Sequence, residues 1–266
     1  MFNKYRTNQL ILTIVLFGLI YNLSNVSYSS NFESKVYFFL SNLIFLNYLL
    51  NAVHQSSHFL LSKKTWLNRV LGHIAAIFSG FTWSHFLATH LEHHKHLGKD
   101  DLDPDFSIAN SGNFLVIPFL IWQLDWQFFS RKFYLRRDYW KDYIFDRLFQ
   151  VLIIVLAINA GYWNTLAYYW IIPMWIVGFL YGQYLFYWPH YSNNLEQWSR
   201  KQSNFFSKLY IWSIDLCRTF HALHHDKVSG NMAYFPLESY LYLNFIRQYK
   251  DFELNVDSHK YIMHKS

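Results

Sequence analysis

A chain of 266 residues that is 53% hydrophobic, 22% aromatic and only 15% charged has too little charge, and apolar runs too long, for an ordinary soluble domain. Its net charge of +6 lies beside those runs and not in a segment of its own, which excludes a nucleic-acid-binding role, and a single cysteine, Cys217, excludes an internal disulfide. A mean hydropathy of +0.02 leaves about half the length outside lipid, and with few glycines and prolines, no repeat and no low-complexity tract the chain reads as one domain over residues 1–266.

A bilayer crossing takes about 20 mostly apolar residues. In chain order, residues 9–23, 36–53, 148–163 and 166–188 meet that description, with their charges at the edges. Residues 67–88 are also apolar but carry Arg69, His73 and His85, and residues 113–129 are broken by Pro118 and Asp125. Both of these read as interfacial or re-entrant segments. The first run has no clear small-residue cleavage site, so it is expected to stay in place as a span.

Charge sets the orientation. Lys4 and Arg6 precede the first run, and Arg131, Lys132, Arg136, Arg137, Lys141 and Arg147 lie between the second and third. Residues 24–34 hold no Lys or Arg, and residues 160–165 hold no charge. The positive-inside rule then puts both termini and the middle segment in the cytoplasm (or stroma). The basic residues there suit anionic lipid headgroups and, more sharply read, an acidic electron carrier.

The fourteen histidines carry the functional signal. Eight fall into three clusters: His54 and His58; His90, His93 and His94; and His221, His224 and His225. Each cluster follows a long apolar stretch, and in the four-span topology all three, with His190 after the last span, reach the cytoplasmic side. Histidine is the commonest metal ligand and is costly within a bilayer. Residues three or four apart share a helix face, so His54 and His58 can address one metal, and His90 aligns with both His93 and His94. His93 and His94 diverge by about 100° and can serve different ions. Eight imidazoles exceed the needs of one four-coordinate ion and fit two transition metals; iron, zinc, copper and nickel all remain open on spacing alone. Among nearby carboxylates, Asp103 and Asp105 are candidates to orient ligand histidines, whereas Asp100 and Asp101 read as a solvated turn. His73 and His85 read as hydrogen-bonded packing residues, His96 as a neighbour of the site or a surface residue, and His259 and His264 as tail residues.

The order His-x-x-x-His, His-x-x-His-His, His-x-x-His-His on a four-span scaffold resembles the membrane fatty acid desaturase superfamily, over about residues 35 to 240. Within it, the stretch from His90 to His96 with Asp103-Pro-Asp105 downstream, Tyr187-Trp-Pro-His190, and Phe220-His-Ala-Leu-His-His225 are most similar to the short carotenoid β-ring hydroxylases and ketolases. The resemblance implies an all-α integral membrane protein with about four transmembrane helices plus interfacial helices and a cytoplasmic histidine-rich di-metal site. It implies two iron ions, O2 as co-substrate and an external ferredoxin- or cytochrome-type electron donor. His54, His58, His90, His93, His94, His221, His224 and His225 take the places of catalytic iron ligands, and His190 that of an additional ligand. Two departures stand out. Asp226-Lys-Val-Ser-Gly replaces the aromatic-proline run that relatives carry after the third cluster, and Phe186 stands where relatives have a polar residue that reaches the metal. The implied activity is oxidation of C–H bonds in a lipophilic substrate, a carotenoid ring or, as the nearest alternative, an acyl lipid undergoing desaturation. A non-catalytic metal-, pigment- or lipid-binding membrane subunit is the reading from outside the enzymes.

Overall fold

In the computed structural model, which describes residues 4–26, 31–96, 99, 102–106 and 125–182, every regular element among the described residues is helical. The chain divides into two compact units, one of Met1–Leu91 with Ile121–Leu180 and the other of Glu92–Leu120 with Tyr181–Ser266.

Helix α1 (Lys4–Asn25) and helix α2 (Phe32–Ser57) pack against each other, and Asn31 caps α2 by accepting from the Glu33 N–H at 2.8 Å. Their polar contacts run in opposite directions along the pair. Near the end of α1, Asn22 donates to Ser41 Oγ at 2.6 Å and to Asn42 Oδ1 at 2.8 Å; near its start, Asn8 and Gln9 donate to the carbonyls of Leu60 and Leu61 at 3.0 and 2.9 Å. The helices are therefore antiparallel. They carry amides inside and large apolar side chains outside: Leu10, Ile14, Phe17 and Tyr21 on α1, and Val36, Tyr37, Leu40 and Ile44 on α2, are all exposed. Such stripes at helical spacing would be a liability in water and match a lipid-facing surface. Residues 8–25 and the whole of α2 are each long and apolar enough to cross a membrane.

Helix α3 (Thr65–Ser79) buries Asn68, Gly72, Ala75, Ala76 and Ser79, a mostly small-residue face that lets it lie close to α2. It ends at Gly80, whose φ of +80° suits a residue without a Cβ, and the Phe81 and Gly80 N–H groups return to the carbonyls of Ala76 and Ile77 at 3.0 and 3.3 Å. Helix α4 (Trp83–His96) then leaves at 102° to α3. The sequence places one apolar segment at residues 67–88; the bend at Gly80 breaks it, which fits either a broken span or a re-entrant segment.

A single 3-10 turn (Phe133–Leu135) precedes helix α5 (Arg137–Asn159). Its apolar second half exposes Leu148, Val151, Leu152, Val155 and Leu156, and its first half carries Asp142, Asp146 and Arg147. These charges are all paired. Arg69 of α3 makes two bonds to Asp142, at 3.0 and 2.5 Å, and Arg147 meets Asp125 at 2.6 Å while also donating to the Gly80 carbonyl at 3.1 Å. The run expected at residues 148–163 is thus only the outer half of a longer helix, and it stops at Asn159, before Gly161 with φ +77°.

The chain resumes as α6 (Trp163–Leu166), a π-helical stretch (Ala167–Ile171) and α7 (Ile172–Tyr181). Pro173 has no N–H to give the carbonyl four residues earlier, at Tyr169. Asn42 of α2 supplies that missing donor, its Nδ2 lying 2.6 Å from Tyr169 O. The widened turn and the buried asparagine are two halves of one solution to a proline within an apolar helix. The fourth expected run, residues 166–188, is described only as far as residue 182.

Candidate metal centre

The last turn of α2 carries His54, His58 follows as its C-cap, and nearly everything around them is tied down. Residues from Leu49 to Ser57 are buried with the exception of Asn51. Beyond the helix the Leu60 N–H returns to the Gln55 carbonyl at 2.9 Å, Asn8 and Gln9 hold the next carbonyls, and Asn68 accepts from the Leu61 N–H at 3.0 Å while donating to the Ser56 carbonyl at 2.7 Å. This fixes the two histidines from both sides of the chain.

His90 reaches them from α4. Its Nε2 lies 2.8 Å from His58 Nε2, and the ring centroids of His54 are 4.5 Å from His90 and 5.0 Å from His58. One nitrogen from each of the three lies within 4.8 Å of the others. Ligands bound at about 2.1 Å and at right angles stand roughly 3 Å apart, so the His58–His90 separation, which is also that of an N–H···N hydrogen bond, is compatible with two imidazoles on one ion. Phe86, one turn before His90, stacks on its ring at 5.3 Å and meets His54 edge-on at 6.1 Å, closing that side with hydrocarbon. Burial pushes His58 down to about 4, so its imidazole is neutral at physiological pH and keeps the lone pair that a metal takes. Gln55, between the two α2 histidines, is 1% exposed with neither amide atom hydrogen-bonded within the protein. That costs about 1–3 kcal/mol and is what a polar ligand nearby would relieve. Three imidazole donors with no carboxylate among them suit a borderline transition metal and not Mg or Ca.

A second group is built on His93. The side chain is fully buried, with Asp103 Oδ1 2.7 Å and Asp105 Oδ2 3.3 Å from its Nδ1. The carboxylates are held in turn: the Asp105 N–H donates to Asp103 Oδ1 at 2.9 Å across Pro104, an Asx turn, and the Asp103 N–H donates to the Lys99 carbonyl at 2.8 Å. These three side chains are close enough to hold an ion themselves. Both carboxylates, however, address the same ring nitrogen, the pattern of a metal-binding histidine oriented by acidic partners, which presents Nε2 as the donor. Asp103 and Asp105, expected from the sequence to orient ligand histidines, both contact His93.

His94 follows on the same helix, its ring 6.0 Å from that of His93 at 70°. His96 lies 3.3 Å from Glu92 one turn back, a polar pair on the helix surface. His73 is hydrogen-bonded to Asp146 at 2.7 Å, and His85 lies 3.3 Å from Asp125. His190, His221, His224 and His225, together with Phe186, lie outside the described residues, as do Asp100, Asp101 and the tail histidines.

Sequence reasoning missed the acidic and amide side chains that fix this framework. Asp142, Asp146 and Gln150, at helical spacing on α5, bind α3 and the α3–α4 elbow: Asp146 accepts from the Trp83 N–H at 2.7 Å, and Gln150 donates to the Phe81 carbonyl at 2.7 Å. The signal was the spacing of Asp142, Asp146 and Gln150, four residues apart on one helix face.

A family model described as fatty acid desaturase matches residues 35–239, a stretch that contains all three histidine clusters. No curated protein and no solved structure matches the chain. The chain belongs to the fatty acid desaturase family, membrane-bound oxidoreductases that act on lipid through a di-iron histidine-box centre.

Proposed function

We propose that this chain is an O2-dependent di-iron oxidoreductase acting on C–H bonds of a lipophilic substrate, most specifically a carotenoid β-ring hydroxylase or ketolase. The observation that carries the metal assignment is the meeting of His54, His58 and His90 from two separate helices, with two Nε2 atoms 2.8 Å apart. His93, set by Asp103 and Asp105, supplies a further nitrogen, and His94, His190, His221, His224 and His225 complete the ligand set. All eight cluster histidines act together as the catalytic centre, with His190 as an additional ligand. Two irons held there supply O2 reduction and oxidation of an unactivated C–H bond.

The protein's own part is placement. The first group offers imidazole donors without a carboxylate, Asp103 and Asp105 keep His93 in one tautomer, and Phe86 keeps water from one side. Which hydrogen leaves depends on where the substrate carbon rests relative to the metals, so chain placement decides between an alcohol, a ketone and a double bond. The topology that goes with this function has four crossings, α1, α2 and the runs at 148–163 and 166–188, with the termini and the metal centre cytoplasmic or stromal and the whole chain acting as one domain. Exposed Lys132, Arg136 and Lys141 beside α5 support that sidedness and a negatively charged electron donor of the ferredoxin or cytochrome type.

Support for the carotenoid branch comes from the Asp103-Pro-Asp105 sequence and the Trp-Pro-His190 stretch. The family description itself favours the alternative, a fatty acyl desaturase with the same metal centre. Expression in a bacterium that makes β-carotene, with His94→Ala as control, separates the two by chromatography and mass spectrometry. Carotenoid with added hydroxyl or keto oxygen only with the unaltered chain establishes the ring oxygenase. An additional acyl double bond with untouched carotene replaces it with the desaturase.

A further inference from the structure

Trp83 opens α4 seven residues before His90, two turns and about 10 Å along the axis, so the two share one helix face. Ser56 lies midway between His54 and His58 on α2. The Trp83 indole Nε1 donates to Ser56 Oγ at 2.9 Å, with both side chains buried. The hydroxyl also donates to the Val53 carbonyl at 2.6 Å, so it would keep a partner without the indole.

Three further features converge on this bond. The Trp83 backbone N–H donates to Asp146 Oδ2 on α5 at 2.7 Å, and the other oxygen of Asp146 is 2.7 Å from His73 Nδ1 on α3. Asn68 of α3 holds the Ser56 carbonyl at 2.7 Å. Gly72 faces both partners: a Cβ there would overlap the Trp83 ring and crowd Ser56 Oγ. Four helices thus meet around one indole–hydroxyl contact that joins the helix of His90 to the helix of His54 and His58.

We infer that Trp83 and Ser56 are positioning residues for the metal ligands. Their bond sets the rotation and register of α4 against α2, and so brings His90 Nε2 to His58 Nε2. The geometric reason is simple. Asp146 and Gln150 hold the bend from which α4 starts, but rotation of the helix about its own axis is a separate freedom, and a slip of one residue would swing His90 about 100° away. A rigid indole two turns upstream on the same face removes that freedom. The inference rests on reading His54, His58 and His90 as metal ligands.

The test uses the full chain in detergent, titrated with Co2+ alone, reading affinity and ligand-field absorption for the unaltered protein, Trp83→Phe, Ser56→Ala, the double variant and His90→Ala, with thermal unfolding alongside. Each single variant is expected to weaken Co2+ binding about 3- to 10-fold and to change the absorption bands. The double variant should be no weaker than the worse single, because both remove the same bond. Should Trp83→Phe fail to fold, Ser56→Ala carries the comparison. Unaltered affinity and spectrum in the single variants, with binding lost in His90→Ala, overturns the inference and leaves the metal site standing. Losses that multiply in the double variant also overturn it, since the bond would then not be the cause. His90→Ala binding and absorbing as the unaltered protein does would remove the site reading and the inference together.

Discussion

Replacing Asp103 probes the metal centre at a residue that touches a proposed ligand without being one. Asp103 Oδ1 is 2.7 Å from His93 Nδ1, and both side chains are almost completely buried. A hydrogen bond to a charged acceptor in such a place is worth about 1.5–3 kcal/mol, and tenfold in affinity corresponds to about 1.4 kcal/mol, so Asp103→Ala should weaken metal binding roughly 10- to 100-fold. Asp105 cannot take over fully, because it stands at 3.3 Å and its own N–H is bound to the Asp103 carboxylate. Asp103→Asn keeps an acceptor oxygen and loses only the charge, which predicts a loss near the lower end of that range. The assay is metal retained per chain after dialysis against a graded chelator, with product formation measured on the same samples. Full retention of metal and turnover in Asp103→Ala would refute the view that this carboxylate orients a ligand.

The remaining predictions concern the scaffold. Asn42→Ala leaves the Tyr169 carbonyl and Asn22 without a shared donor and acceptor, and should cost about 1–3 kcal/mol, seen as a lower unfolding temperature with faster amide exchange around residues 167–171. Gly72→Ala forces a methyl against the Trp83 ring and should destabilise by about 1–3 kcal/mol; an unfolding temperature equal to that of the unaltered chain would contradict the close packing of α3. Gln55→Met removes a buried amide that has no protein partner, so the metal-free protein should be as stable or about 1 kcal/mol more stable. A lower unfolding temperature of the metal-free variant would show that the amide is satisfied within the protein.

Local spacing made much of the site legible. His54 and His58 four residues apart, and His90 and His93 three apart, announce helix faces without any tertiary information. Asp103 and Asp105 were legible because they follow the second cluster within one short turn. The limits of α5 were not. The expected run begins only at residue 148, whereas Asp142, Asp146 and Arg147 before it are each paired with a partner 22 to 73 residues away, so one helix runs through them. The contact of Asn42 with Tyr169 spans 127 residues and depends on a carbonyl that Pro173 leaves unused, a need visible only once the helix pairing is known. The contact of Trp83 with Ser56, 27 residues apart, likewise exists only once α4 lies against α2.

The central claim is that the histidines hold two irons for oxidation chemistry. The most direct measurement is the metal content of the purified full chain by mass spectrometry, together with Mössbauer spectra of protein grown on 57Fe and the same measurements on His54→Ala and His90→Ala. The account predicts two irons per chain with the spectrum of a coupled pair, and loss of that spectrum in both variants. Zinc in place of iron, or iron unaffected by either substitution, would contradict it.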